Sequence, residues 1–72
     1  MMFVVMEMQV FDDGKMSTPC YAYAERNSAE AKYHAILSSA SVSALPIHSA
    51  VMVTDDGRFI KSESFDHRGG EA

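Results

Sequence analysis

The chain has 72 residues, with ten Asp and Glu against six Lys and Arg and a formal net charge of −4. A domain this small buries only about 60% of the surface its unfolded chain exposes, so support from an oligomer or a partner is expected. The bases are scattered singly, which disfavours direct nucleic-acid binding, and the apolar and charged fractions are those of a folded globular chain rather than a disordered one.

The first apolar run lacks a basic leader, is interrupted by Glu7 and is too short to span a bilayer, so neither a signal peptide nor a membrane helix is expected. Met2 to Phe11 instead alternates as a strand. Val4, Met6, Met8 and Val10 share one face; Phe3, Val5, Glu7, Gln9 and Phe11 share the other. The more apolar first set is expected to lie under a helix. Asp12-Asp13-Gly14-Lys15 then reverses the chain, with Gly14 suited to the positive φ of either a two-residue turn or a three-residue turn with a bulge. Met16 to Ala24 resumes the extended pattern, and Pro19, which cannot donate to a central ladder, assigns this strand to an edge.

Asn27 to Ala40 is the one segment that reads cleanly as a helix, with Asn27 as N-cap and Glu30 three positions on, as in a capping box. Ala29, Tyr33, Ile36, Leu37 and Ala40 form its buried stripe, and Ser28, Lys32, Ala35 and Ser39 fall on the opposite side. The helix is expected to fray before Leu45, because Ser38 to Ser43 are weak helix formers and Pro46 drives its predecessor out of the helical region.

Pro46 to Thr54 and Phe59 to Phe65 form a second hairpin about Asp55-Asp56-Gly57-Arg58. A two-residue Asp56-Gly57 turn would pair Val53 with Ile60, Met52 with Lys61, Val51 with Ser62 and Ala50 with Glu63, separating polar from apolar better than a three-residue loop does. The matching Val-x-Asp-Asp-Gly runs from Val10 and Val53 look like a repeat, although shared turn chemistry explains them as well. The fold expected is therefore α+β, ββαββ, with a four-stranded, mostly antiparallel sheet, one helix on one face, and the first and last strands pairing in parallel at the centre. Residues 1–65 make the domain and 66–72 a flexible tail.

No catalytic residues, metal ligands or cofactors are expected. The lone Cys20 permits neither an internal disulfide nor, by itself, a zinc site, and a cysteine in an alternating strand is usually a small apolar filler. His34, His48 and His67 share no metal-ligand spacing, the paired acids lack the alternating oxygen ligands of a calcium loop, and the isolated glycines make no phosphate cradle. More informative is the sheet face away from the helix, where Phe3, Val5, Phe11, Met52, Phe59 and Phe65 are expected to remain uncovered as a partner-binding surface for a protein target or for self-association as a dimer.

Tyr21-x-Tyr-x-Glu25, then Asn27-x-x-Glu30-Ala31-x-Tyr33-His34, a serine-rich spacer, an aliphatic strand, Asp55-Asp56-Gly57 and Lys61-x-Glu63 form a pattern covering most of the chain. It resembles the very small uncharacterised ββαββ proteins of phages, prophages and integrative elements of Gram-positive gut bacteria. The resemblance carries over no functional residues. It implies a context in which small phage proteins that are not enzymes bind and redirect or block a host protein, including antiviral defence systems in the manner of anti-CRISPR proteins. A cytoplasmic location in the host bacterial cell is expected from the lone cysteine and the lack of a signal or membrane segment.

Two other classes stand beside this. A small-molecule binder or sponge for a signalling nucleotide would use Tyr21, Tyr23, Tyr33, His34 and Arg58 between protomers, since aromatic and basic groups suit stacking and phosphate contact. A ubiquitin-like modifier or sulfur carrier would use Arg68-Gly69-Gly70 after removal of Glu71 and Ala72.

Overall fold

The computed structural model describes residues 1–68. The elements follow the chain as β1 (Phe3–Val10), β2 (Met16–Ser17), β3 (Cys20–Tyr23), α1 (Arg26–Ser41), β4 (Ile47–Thr54) and β5 (Phe59–Asp66). This is an α+β fold in which one helix packs on an antiparallel sheet of five strands, rather than four. The extra strand comes from a break at Thr18-Pro19 within the second predicted strand. Both pieces pair with β1 in one register, Val10 opposite Met16 and Met6 opposite Cys20. Pro19 has no N–H to give, and its carbonyl instead accepts the Glu7 N–H at 2.9 Å.

The sheet order runs from β2 and β3 to β1, β4 and β5. β4, not the last strand, lies beside β1, and the pair is antiparallel from Phe3 opposite Thr54 to Val10 opposite Ile47. The expected central parallel pair is therefore absent. Its place is taken by a strand whose sequence, IHSAVMVT, packs on both faces, while β5, with Lys61, Ser62, Glu63 and Ser64 in succession, occupies an edge where water reaches it.

Both acidic turns adopt one conformation. Gly14 and Gly57 have φ of 84° and 85°. Gly14 N–H donates to Phe11 O at 3.0 Å, and Gly57 N–H donates to Thr54 O at 2.9 Å. Phe11 pairs back to Lys15, and Thr54 to Arg58, closing three-residue loops with the glycine in the left-handed region. The two-residue turn expected at Asp56-Gly57 is thus not formed, and Val53 faces Phe59 instead of Ile60. A bulge at the next step restores the expected pairs Met52 with Lys61, Val51 with Ser62 and Ala50 with Glu63. It also turns Ile60 toward the core, where it packs beside the helix.

The helix begins at Arg26, one residue before the expected cap. Glu25 occupies the cap position without a side-chain bond, so Asn27 lies inside the first turn and the predicted capping box does not form. Glu30 is drawn away to Arg26 and Lys61. Ala29, Tyr33, Ile36 and Ala40 are buried as the stripe predicts, with Leu37 packed against them. The helix stops at Ser41, where the Val42 N–H donates to Ser39 O and the Ser43 N–H to Ala40 O. Past Phe65 the chain stays anchored: Asp66 pairs with Ile47, and His67 N–H donates to Pro46 O at 2.7 Å. Positions 69–72 lie outside the described residues.

Gly57→Ala isolates the value of the turn. A Cβ there meets nothing within 4 Å, so its cost is conformational alone, about 1–2 kcal/mol for a side chain held at positive φ. Thermal melts are expected to show that loss for Gly57→Ala and a smaller one for Gly57→Asn, because Asn tolerates the left-handed region; an unchanged melting temperature for Gly57→Ala would contradict the turn assignment.

Candidate functional site

Strand alternation and register divide the sheet into two faces of different chemistry. Val5, Ala50 and Met52 sit in one buried cluster with Ala29, Tyr33 and Ile36 of the helix, and Phe3, Tyr23 and Leu37 close its sides. That contact fixes the face toward α1 as Phe3, Val5, Glu7 and Gln9 of β1 with His48, Ala50, Met52 and Thr54 of β4. The expected inner face is the outer one. Val4, Met6, Met8 and Val10 look away from the helix beside Val53, Val51, Ser49 and Ile47, each directly opposite in that order.

This inversion redistributes the partner-binding residues expected from the sequence. Val5 and Met52 are fully buried under the helix, and Phe3 packs against the same core. Phe65, opposite His48, stacks on His67 with ring centroids 6.4 Å apart. Phe11 is exposed beside the first turn. Phe59 alone meets the expectation in place: it stands opposite Val53 on the open face and is 62% exposed. Met16, opposite Val10 on the same face, is 57% exposed. The residues missed are thus Val4, Met6, Met8, Val10, Ile47, Val51 and Val53. Their periodicity was visible; the side of the sheet the helix would choose was not.

The open face is apolar at its centre and small or polar along its flanks. β1 and β4 supply Val, Met and Ile, whereas β3 contributes Cys20 and Ala22 and β5 contributes Ser62 and Ser64. Ser49 and Ser64 satisfy one another across the strands at 2.8 Å. Among the described strand residues the only charged side chain on this face is Asp66, at a corner and paired with Arg68 at 2.9 Å, which holds its carboxyl below the ordinary carboxylate range.

Charges collect on the helix side. Glu30 is met by Lys61 at 2.5 Å, Arg26 at 3.3 Å and His34 at 3.6 Å. The Lys61 hydrogen bond, reinforced by Arg26, lowers the Glu30 pKa against the opposing effect of burial. The Lys61 ammonium also lies 4.9 Å from the Tyr33 ring centroid, and Lys32 lies 4.1 Å from that of Tyr21. Burial, followed by the nearby Glu63, raises the Tyr33 hydroxyl above its usual pKa. Deeper in, His48 is 4% exposed; its Nε2 lies 2.6 Å from Glu7 Oε2, while Gln9 donates to the same oxygen at 3.3 Å. His48 Nδ1 is buried without a partner.

These groups do not assemble a reactive centre. Cys20 lies exposed on the open face and His48 on the opposite one, so the sheet separates the thiol from the buried imidazole. The residues expected to hold a nucleotide also fail to converge within one chain. Tyr33 is in the core, Tyr23 flanks it, Tyr21 lies under Lys32, His34 projects from the helix, and Arg58 is at the second turn beside Asp56. Among the described residues no pocket opens, no three His, Cys, Asp or Glu side chains gather as metal ligands, and no helix is long and apolar enough to cross a membrane. Gly69 and Gly70 of the modifier-like motif fall outside the described residues.

The carboxylates make separable predictions. Glu7→Leu strands both His48 ring nitrogens in the interior and is expected to cost about 1–3 kcal/mol in a denaturant titration, with the loss reduced when His48→Phe is added; additive losses would show that the two side chains are not coupled. Because Glu30 ionises more readily in the folded state, its pairing stabilises the fold above its ordinary pKa of 4.5 and is lost as pH falls through the lowered value. Glu30→Gln should therefore flatten the fall in melting temperature with acidification in that range. An equally steep fall in the variant would remove Glu30 as its source.

Compared with known proteins, the chain matches no family model, and no curated protein or solved structure is significantly similar to it.

Proposed function

We propose that the protein is a non-enzymatic binding module that engages another protein chain through its open sheet face. The observation that carries this reading is the composition of that face: a central band of Val4, Met6, Met8, Val10, Ile47, Val51 and Val53 left uncovered by the helix, with Asp66 the only charged side chain among the described strand residues there, at a corner and paired with Arg68. Contiguous apolar surface bordered by small polar groups has the anatomy of a protein interface. The sheet supports it rigidly, since each central position is held by ladder bonds on both sides. The resemblance noted in the sequence adds the class of target, a host bacterial protein, including a component of an antiviral defence system, bound in the cytoplasm. A nucleotide-binding role has weaker support, because Tyr21, Tyr33, His34 and Arg58 do not share one site.

Val51 lies near the centre of the band, between Met6 and Ser62. Tagged wild-type protein and Val51→Lys, compared in a bacterial lysate and analysed by native mass spectrometry, should differ in one respect. The wild type retains a further protein chain, another copy or a host protein, at fixed stoichiometry, and the variant loses it while keeping its circular dichroism spectrum. Equal retention by both, or none by either, would contradict a binding role for this face.

A further inference from the structure

We infer that the occupant of the open face is a second copy of this chain, so that two sheets pack face to face with their helices outermost. The inference rests on the reading of that face as an interface and identifies what covers it, a second copy in place of the host protein that the resemblance implies.

Need, area and charge each favour this occupant. The core beneath the helix is thin: Val5, Tyr33, Ile36 and Met52 supply its bulk, and Ala29, Ala40 and Ala50 complete it. A small domain with so little apolar volume on one side of its sheet gains most from cover that is present whenever it is folded. A second copy meets that condition, because its supply is tied to that of the chain itself.

The face is also large enough. β1, β4 and β5 are each eight residues long. At about 3.3 Å per residue and about 4.8 Å between strands, four strand positions present a footprint of about 500 Å². Two such faces in contact remove about 1,000 Å², the threshold for a specific interface, before side-chain relief is counted. The apolar band then packs on its counterpart across about 10 Å, with Ser62, Ser64, Cys20 and Ala22 toward the rim.

Charge decides between a copy and a stranger. The chain carries −4 overall, which ordinarily opposes self-association. Here Glu7, Glu30 and Glu63 belong to the helix side, and Asp12, Asp13, Asp55 and Asp56 to the turns. Face-to-face docking therefore sets these acids apart and brings the apolar bands together, with Asp66 left at a corner of the face where Arg68 pairs it. A partner selected for the acidity of this chain would find no charge to read on the band.

The test uses the purified full chain. Native mass spectrometry and light scattering are expected to give twice 7.9 kDa, shifting toward 7.9 kDa on dilution, with a melting temperature that rises with protein concentration. Val51→Lys should abolish the heavier species, while Ala35→Lys on the exposed side of the helix should leave it intact. If Val51→Lys fails to fold, the concentration dependence of the wild type decides. Peroxide oxidation of Met6 and Met8 should slow as the wild type is concentrated, because their thioethers become covered. A dimer whose Met6 and Met8 oxidise at a rate independent of concentration would overturn the proposal by placing contact at an edge. A wild-type monomer that binds a different protein, and loses it in Val51→Lys, would overturn the second copy while preserving the face as an interface. A monomer whose binding is unaffected by Val51→Lys would remove both.

Discussion

A single helix can cover only one face of a sheet, and the contact of α1 with β1 and β4 decides the rest of this structure. Ala29 and Ala40 bring the helix backbone close, Tyr33 and Ile36 fill the space between, and Val5, Ala50 and Met52 receive them. Each side chain placed under the helix sends its chain neighbours to the other side. Burial of Val5 therefore places Val4 and Met6 on the open face, and burial of Met52 does the same for Val51 and Val53. The apolar band is the geometric complement of the core.

The inner face accommodates polar residues because each side chain has a partner or reaches solvent, His48 through Nε2 alone. Glu7, beneath the helix, meets His48 and Gln9, while Lys61 extends along Tyr33 to reach Glu30. Such groups are costly when buried alone and tolerable when bonded, and the long stem of Lys61 adds cover to the aromatic ring. The polar groups at Glu7 and Gln9 thus allow this face to pack inward, leaving the more uniformly apolar face of β1 outside. Outside, the same uniformity leaves an apolar band whose cover by another protein would cost little in desolvation.

Much of the local structure was legible in the sequence. The glycines marked both turns, alternation marked the strands, and the stripe of Ala29, Tyr33, Ile36, Leu37 and Ala40 marked the buried side of the helix. Relations between elements were less so. Pro19 correctly assigned its strand to an edge, but an edge there is compatible with either β4 or β5 beside β1. The discriminating signal was the polarity of Lys61 to Ser64, which suits the other edge, against the apolar run of β4, which suits the centre. The choice of face failed for a similar reason. Both sides of β1 contain enough apolar residues to form a core, and only the register that sets Gln9 opposite His48, with Glu7 in reach, shows how the inner polar groups are satisfied. The uncovered apolar face was therefore legible as an idea, and misplaced by one residue along β1 and β4.

Nuclear Overhauser contacts from the Tyr33 ring test the facing of the sheet most directly. The methyl groups of Val5 and Met52 are expected to show strong contacts to that ring, and those of Met6 and Val51 none. Contacts from Tyr33 to Met6 or Val51, with Val5 and Met52 silent, would turn the sheet over and remove the open face on which the functional reading depends.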